Sequence, residues 1–308
     1  MKKKTIGIIG AGKHFKNRIY PILSKSNFFE IKGILKRNKN NFKKIKKFNE
    51  EDFFKQHFDF VYIACPNRFH ENYIIKSLKV GCHVICEKPF IIKKKNINKI
   101  IKLSKSRKKL IFEAFMYVYH PVFEYVKNIV KQKKYGKMQY IIANQRYPSL
   151  DKNNNRYKKN EGDGFFFDAA VYLLSLENYL FNNKINKFSP SSSQKIKNIV
   201  DLRGNIYINS PEGKRFYFWG EGQNYTNSLE IFFDKASIYV NKFFSKKDDE
   251  DIYVKIYSKI NKQKIIKKSN QFKKMFDVIQ KNYDKKKFQQ EHINNIVKQL
   301  SLLTKYNL

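Results

Sequence analysis

The chain has 308 residues, 42% of them apolar and 16% aromatic, which is enough for one large core or, as the better expectation, two medium ones. A formal net charge of +38 raises a nucleic-acid partner, but the lysines are spread through the chain among Asn and Ile, as a coding bias toward A and T would leave them. No zinc finger, aromatic RNA-binding signature or pair of recognition helices accompanies them. No apolar run is long enough to cross a bilayer, and Met1–Lys4 leads straight into a strand pattern, so neither a signal peptide nor a membrane anchor is expected and a cytoplasmic location is.

The predicted elements begin with a strand at Thr5 to Ile9, a Gly10-Ala11-Gly12 turn and a helix from His14 to Leu23. A second strand covers Phe29 to Leu35 and ends at Lys36-Arg37. Asn41 to Phe48 reads as helical, Glu50 to Gln56 as a short helix, and Phe58 to Ala64 as a strand covered on both faces. A helix at His70 to Leu78 closes at Gly81. It is followed by a strand at His83 to Cys86, a basic helix at Lys93 to Ser106 and a strand at Leu110 to Ala114. Alternating strands and helices with short connections predict a parallel, doubly wound sheet of the Rossmann type. Cys65, Cys82 and Cys86 sit in strand-like apolar runs. Cys82 and Cys86 share a strand face about 13 Å apart, too far for one metal ion, and read as core residues; no metal site is expected.

Beyond Tyr119 the pattern changes. A helix at Pro121 to Lys131 precedes a long strand candidate at Lys137 to Tyr147, an Asn- and Lys-rich loop, and a helix at Asp168 to Leu180. Ser189 to Ser193 reads as a loop. Strands are expected at Ile199 to Ile208, Arg215 to Trp219, Ser228 to Phe233, Ser237 to Asn241 and Ile252 to Tyr257, and helix from Gln271 to Leu302. The fold class is therefore α/β. A doubly wound domain over 1–119 is followed by an α+β domain over 120–308 with an open, mainly antiparallel sheet, and the C-terminal helix has the option of packing on the first domain.

Gly10-x-Gly12 stands behind an apolar strand and ahead of a helix, the context in which such glycines let backbone approach a dinucleotide pyrophosphate. Lys13, His14 and Phe15 follow, Phe15 where a third Gly or Ala is usual. The end of the second strand normally carries an acid for the ribose of NAD. Here Lys36 and Arg37 suit a 2′-phosphate instead, which favours NADP(H) and leaves NAD(H) open; the alternative is that both simply face solvent.

From Asp59 to Pro89 the chain resembles the Gfo/Idh/MocA oxidoreductases, named for glucose-fructose oxidoreductase and inositol dehydrogenase. The likeness rests on Asp59 to His70 (DFVYIACPNRFH) and Gly81 to Pro89 (GCHVICEKP), whose Glu87-Lys88-Pro89 is the family's most recognisable mark. Glu113 to Tyr117 with His120-Pro121, and Gly162 to Tyr172 (GDGFFFDAAVY), extend it. The resemblance implies a nicotinamide-dependent enzyme whose catalytic face lies between a Rossmann domain and an open sheet. It also implies a homodimer or homotetramer through that sheet. Asp163 interrupts a turn that is often all glycine, and Ala169-Ala170 stands where Gly is common, so no single member's substrate carries over.

By the same resemblance Lys88 matches the catalytic lysine, able to polarise a carbonyl and assist a neighbouring acid. Asp168 and Tyr172, four apart on a helix, point into one cleft. Many members have His where Tyr172 stands, whereas tyrosine is found in the glucose-fructose oxidoreductase type and in reductases of nucleotide-linked ketosugars; Tyr172 would donate a proton while Asp168 orients substrate or lysine. A helix cap for Asp168 and a packed aromatic for Tyr172 are the plainer readings. Cys65, Pro66, Asn67 and His70 resemble the loop beside the cofactor, with helix capping an alternative for His70. Glu87 contacts cofactor or fixes the Lys88 segment. His120, more structural than acid-base, and Arg146, Arg156 and Tyr157 are candidate substrate contacts, the arginines suited to a diphosphate or carboxylate, with ordinary surface charge as the alternative.

The leading expectation is NADP(H)-dependent reduction of a sugar or nucleotide-sugar carbonyl. Oxidation of a free sugar, cyclitol or diol is the alternative, and a non-catalytic dinucleotide sensor the outside one.

Overall fold

A computed structural model describes residues 2–35, 42, 44–158, 164–181, 185–196, 200–222 and 224–306. Two compact units are found: Met1–Phe115 with Met275–Thr304, and Met116–Lys274 with Lys305–Leu308.

In the first unit β1 (Lys4–Ile9) leads to α1 (Tyr20–Leu23) through a π-helical turn, Phe15–Ile19. The wide turn has a cause in Pro21, which offers no N–H and crowds the carbonyl four residues back; a π turn relieves both problems without ending the helix. Next come β2 (Phe29–Leu35), β3 (Lys47–Phe48), α2 (Glu50–Lys55), β4 (Phe60–Ile63), α3 (His70–Lys79), β5 (His83–Cys86), α4 (Ile97–Arg107) and β6 (Ile111–Glu113). All strands are parallel, in the order β3-β2-β1-β4-β5-β6. β4 and β5 are buried along their whole length, since helices cover both faces. The helix expected at Asn41 to Phe48 is corrected. Lys47 and Phe48 form a short strand on the sheet edge, paired with Ile34 and Leu35, and Phe48 is buried against Phe58.

In the second unit α5 (Pro121–Lys131) and β7 (Met138–Arg146) precede a π-helical turn, Phe166–Ala170, that continues into α6 (Val171–Tyr179). Then follow β8 (Lys187–Ile196), β9 (Val200–Ser210), β10 (Gly213–Gly220), β11 (Thr226–Phe233), β12 (Ser237–Asn241), β13 (Ile252–Tyr257) and β14 (Lys262–Ile266). The sheet runs β14-β13-β12-β11-β7-β10-β9-β8 and is antiparallel except for the β7–β10 pair. Ser189 to Ser193 is thus not a loop but part of β8. Pro190 is tolerated because β8 is an edge strand, where its missing N–H disrupts no second ladder. Basic β14, not anticipated, is the opposite edge.

The chain closes with two helices rather than one, α7 (Gln271–Asn282) and α8 (Lys286–Leu303). Within the first unit Phe276 packs on Phe29 and Tyr62, and His292 on Phe112. Among the described residues no helix is long and apolar enough to cross a membrane, and no cluster of His, Cys, Asp or Glu is arranged to hold a metal ion.

Candidate active site

Strand order reverses beside β1 in the first unit, and the carboxyl ends of β1, β4 and β5 carry the glycine turn, Cys65 to Asn67, and Glu87-Lys88. Gly10 has φ +96°, and a Cβ there would lie 2.4 Å from the backbone of Ala64 and Cys65, so only glycine serves. Gly12 differs. A Cβ there would meet nothing within 4 Å, which leaves open room beside bare backbone. That room, with Lys13 and His14 exposed next to it, fits the diphosphate of a dinucleotide.

No partner for His14 was legible in the sequence, yet its Nε2 lies 2.8 Å from Glu87 Oε1, and the Tyr62 hydroxyl donates to the same oxygen. Burial opposes the charge on both members. The Glu87 carboxylate nonetheless raises the His14 imidazole above its ordinary value. His14, with help from Tyr62 and Lys88, holds Glu87 below the usual carboxylate range. Lys88 is half-buried, and the Lys88–Pro89 bond is cis.

Several expected contacts are closed to ligand. Phe15 has no exposed surface and packs on Tyr20, Phe42 and Tyr62. Cys65 is buried, with Pro66 and Asn67 half-buried beside it. His70 does not cap its helix. It is buried, Nδ1 lying 2.9 Å from the Pro89 carbonyl oxygen and Nε2 2.8 Å from that of Cys65. Lys36 and Arg37 lie outside the described residues, as do Gly162 and Asp163.

In the second unit Arg156 Nε donates to Asp168 Oδ2 at 2.7 Å, which raises the guanidinium further. Tyr147, unremarked in the sequence, joins this cluster. Its hydroxyl accepts from Gln145, and burial together with Asp168 raises it well above the ordinary phenol value. Tyr172 is buried, its hydroxyl 3.7 Å from Met116 Sδ, and within electrostatic reach of Arg156. The Tyr157 hydroxyl accepts from the Leu150 amide at 3.0 Å and also bonds Glu221.

Arg146 does not join Arg156. Strand alternation turns Gln145 and Trp219 toward the helix that carries Asp168, Phe166 packing on Trp219, and turns Arg146 the other way, its guanidinium 5.2 Å from the Phe218 ring. A small cavity on that opposite face is lined by Arg146, Arg203, Asn205 and Phe218. His120 is buried as the N-cap of α5, Nδ1 accepting the Val122 amide. Burial, with Lys246 and Lys274, lowers it to about 3, so the ring is neutral and structural.

Residues 4–115 match the oxidoreductase family with an NAD-binding Rossmann fold, and 123–239 match the Gfo/Idh/MocA C-terminal domain. The chain belongs to the Gfo/Idh/MocA oxidoreductase family. It is 22% identical over 202 residues to a dTDP-3,4-didehydro-2,6-dideoxy-alpha-D-glucose 3-reductase of Saccharopolyspora spinosa, a match spanning 65% of this chain and 61% of that one. A scyllo-inositol 2-dehydrogenase (NADP(+)) of Bacillus subtilis is 28% identical over 162 residues, 49% of this chain and 47% of that one. A 3-ketoreductase from Actinomadura kijaniata, solved with NADP and TDP-benzene, superposes with a TM-score of 0.90 at 20% identity, covering 98% and 96% of the two chains. For this Gfo/Idh/MocA member, that likeness establishes the fold.

Proposed function

We propose that this oxidoreductase reduces the carbonyl of a sugar, most specifically a nucleotide-linked ketosugar, with NADP(H). Family membership carries the reaction class, NAD(P)-dependent exchange between CH–OH and C=O. The observation that favours the substrate is the Arg156–Asp168 pair with Tyr147 and Tyr172 around it, a cluster able to seat a polyhydroxylated, anionic ligand. Similarity to a dTDP-ketosugar reductase and to a fold solved with NADP supports the same reading.

When bound, the reduced nicotinamide supplies the hydride. Gly10, Gly12, Lys13 and His14 would hold its diphosphate, with Pro66 and Asn67 flanking it and Lys36 and Arg37 taking the 2′-phosphate. Lys88 polarises the carbonyl oxygen, and Tyr172 donates the proton to it as negative charge develops. Asp168, fixed by Arg156, orients the sugar hydroxyls. NADPH and NADH titrations test the cofactor half: at least about tenfold tighter NADPH binding, some 1.4 kcal/mol, is expected, and equal affinity would remove Lys36 and Arg37 from the account.

Similarity to an inositol dehydrogenase favours a second reading, oxidation of a cyclitol with NADP. In either case the open sheet face, with Tyr140 stacked on Phe232 and Tyr253 and Tyr257 exposed, is proposed to pair subunits into a dimer or tetramer.

A further inference from the structure

The ladder that fixes β5 ends just before Lys88. The Glu87 amide donates to the Ile63 carbonyl, and the Cys86 carbonyl accepts from Ala114, whereas Pro89 has no N–H to offer. Side chains take over from there. The Pro89 carbonyl oxygen meets His70 Nδ1 at 2.9 Å, and the Phe90 amide donates to Glu113 Oε1 at 2.8 Å. His70 Nε2 reaches the Cys65 carbonyl at 2.8 Å, so one ring spans the segments that follow β4 and β5, while Glu113 is the last residue of β6. A neutral ring donates to one of these carbonyls and a protonated ring to both. Both side chains are buried, at 1% and 4% exposure, and neither has surface to offer a ligand.

We propose that His70 and Glu113 are positioning residues for Lys88, gripping the Lys88-Pro89-Phe90 segment by its carbonyl and its amide where the sheet no longer holds it. The inference rests on the reading that Lys88 acts on the substrate carbonyl. Burial raises Glu113 to about 8, against the Phe90 amide and Lys88, so at neutral pH a carboxylic acid holds the amide and a glutamine is its close replica. Misplacement of a catalytic group by about 1 Å costs on the order of 10²-fold in rate, so a clamp of this kind has leverage on turnover without touching substrate.

The test uses the full chain with Glu113→Ala, Glu113→Gln and His70→Ala. Amide hydrogen exchange at Phe90, acylation of Lys88 relative to the other lysines, NADPH affinity and kcat are measured together. Glu113→Ala is expected to speed Phe90 exchange by at least about tenfold with β4 and β5 unchanged, a lost buried hydrogen bond at one amide. It should change the Lys88 acylation rate, lower kcat by roughly 10- to 100-fold, and leave NADPH affinity within about threefold. Glu113→Gln should recover most of the kcat. His70→Ala, which removes both ring nitrogens and with them the Pro89 and Cys65 contacts, carries the same expectations as Glu113→Ala, so the test does not depend on one variant folding. Unchanged Phe90 exchange and Lys88 acylation in either truncating variant overturns the clamp, as does faster exchange with kcat held within twofold. Absence of carbonyl reduction by the wild-type chain overturns the functional reading alone, and exchange and acylation still decide the clamp.

Discussion

Glu87 joins His14 across 2.8 Å, so the residue before Lys88 is ion-paired to the helix that follows the glycine turn. One carboxylate, also held by Tyr62, therefore serves the proposed diphosphate site and the Lys88 segment together.

Glu87→Gln should weaken NADPH binding about three- to tenfold, because His14 loses the partner that keeps it protonated. Since His14 is almost half exposed, screening limits the stability loss to roughly 1 kcal/mol. The pair also sets a pH window. His14, raised in the fold, loses its contribution as pH climbs past 6.5 and through the folded value. Glu87, lowered in the fold, loses its contribution as pH falls below 4.5. NADPH affinity of the wild type should decline as pH rises through the raised His14 value, and Glu87→Gln should move that decline to lower pH; identical pH profiles would dissociate His14 from the cofactor.

The two arginines lie on opposite faces of one sheet and should separate cleanly. Arg156→Ala is expected to lower kcat/KM for a nucleotide-linked ketosugar by at least about 30-fold, an ionised hydrogen bond of roughly 2 kcal/mol. Arg146→Ala should leave kcat/KM within about twofold. Equal losses would mean that the Arg146 face binds substrate.

The buried histidines and Glu113 give stability pH slopes of opposite sign. His83, His120 and His292 are each lowered to about 3, chiefly by burial, so the unfolded chain binds more protons between about 3 and 6.5 and stability falls as pH drops through that range. Glu113, raised from 4.5 to about 8, binds its proton more tightly in the fold, so its effect lowers stability by roughly 1.4 kcal/mol per pH unit between those values. Denaturation at a series of pH values should show Glu113→Gln losing less stability than wild type between pH 6 and 8; parallel curves would place an ionised Glu113 in the fold.

The strands of the first unit were legible because apolar runs bounded by turns leave few alternatives: β2 and β5 agree to the residue. Short edges were not. Lys47-Phe48 and Lys262–Ile266 carry too few apolar residues to show a period, and Pro190 with three serines looks like a loop until an edge ladder is seen to need nothing of its N–H. At the site, the family resemblance drew attention to Lys88, Asp168 and Tyr172, but a motif says nothing of which strand face a neighbour takes. Hence Arg146 was grouped with Arg156, while Tyr147 and the His14–Glu87–Tyr62 contact, made by residues far apart in the chain, were missed.

The central claim is that Lys88 drives NADPH-dependent carbonyl reduction. NADPH consumption with a dTDP-linked ketosugar, compared between wild type and Lys88→Ala with NADPH affinity measured on both, tests it most directly. Turnover by the wild type, a loss of at least about 10³-fold in Lys88→Ala and NADPH affinity within a few-fold are expected, the rate loss corresponding to some 4 kcal/mol of transition-state stabilisation. Turnover undiminished in Lys88→Ala, or a wild type that binds NADPH and reduces no ketosugar, would contradict the account.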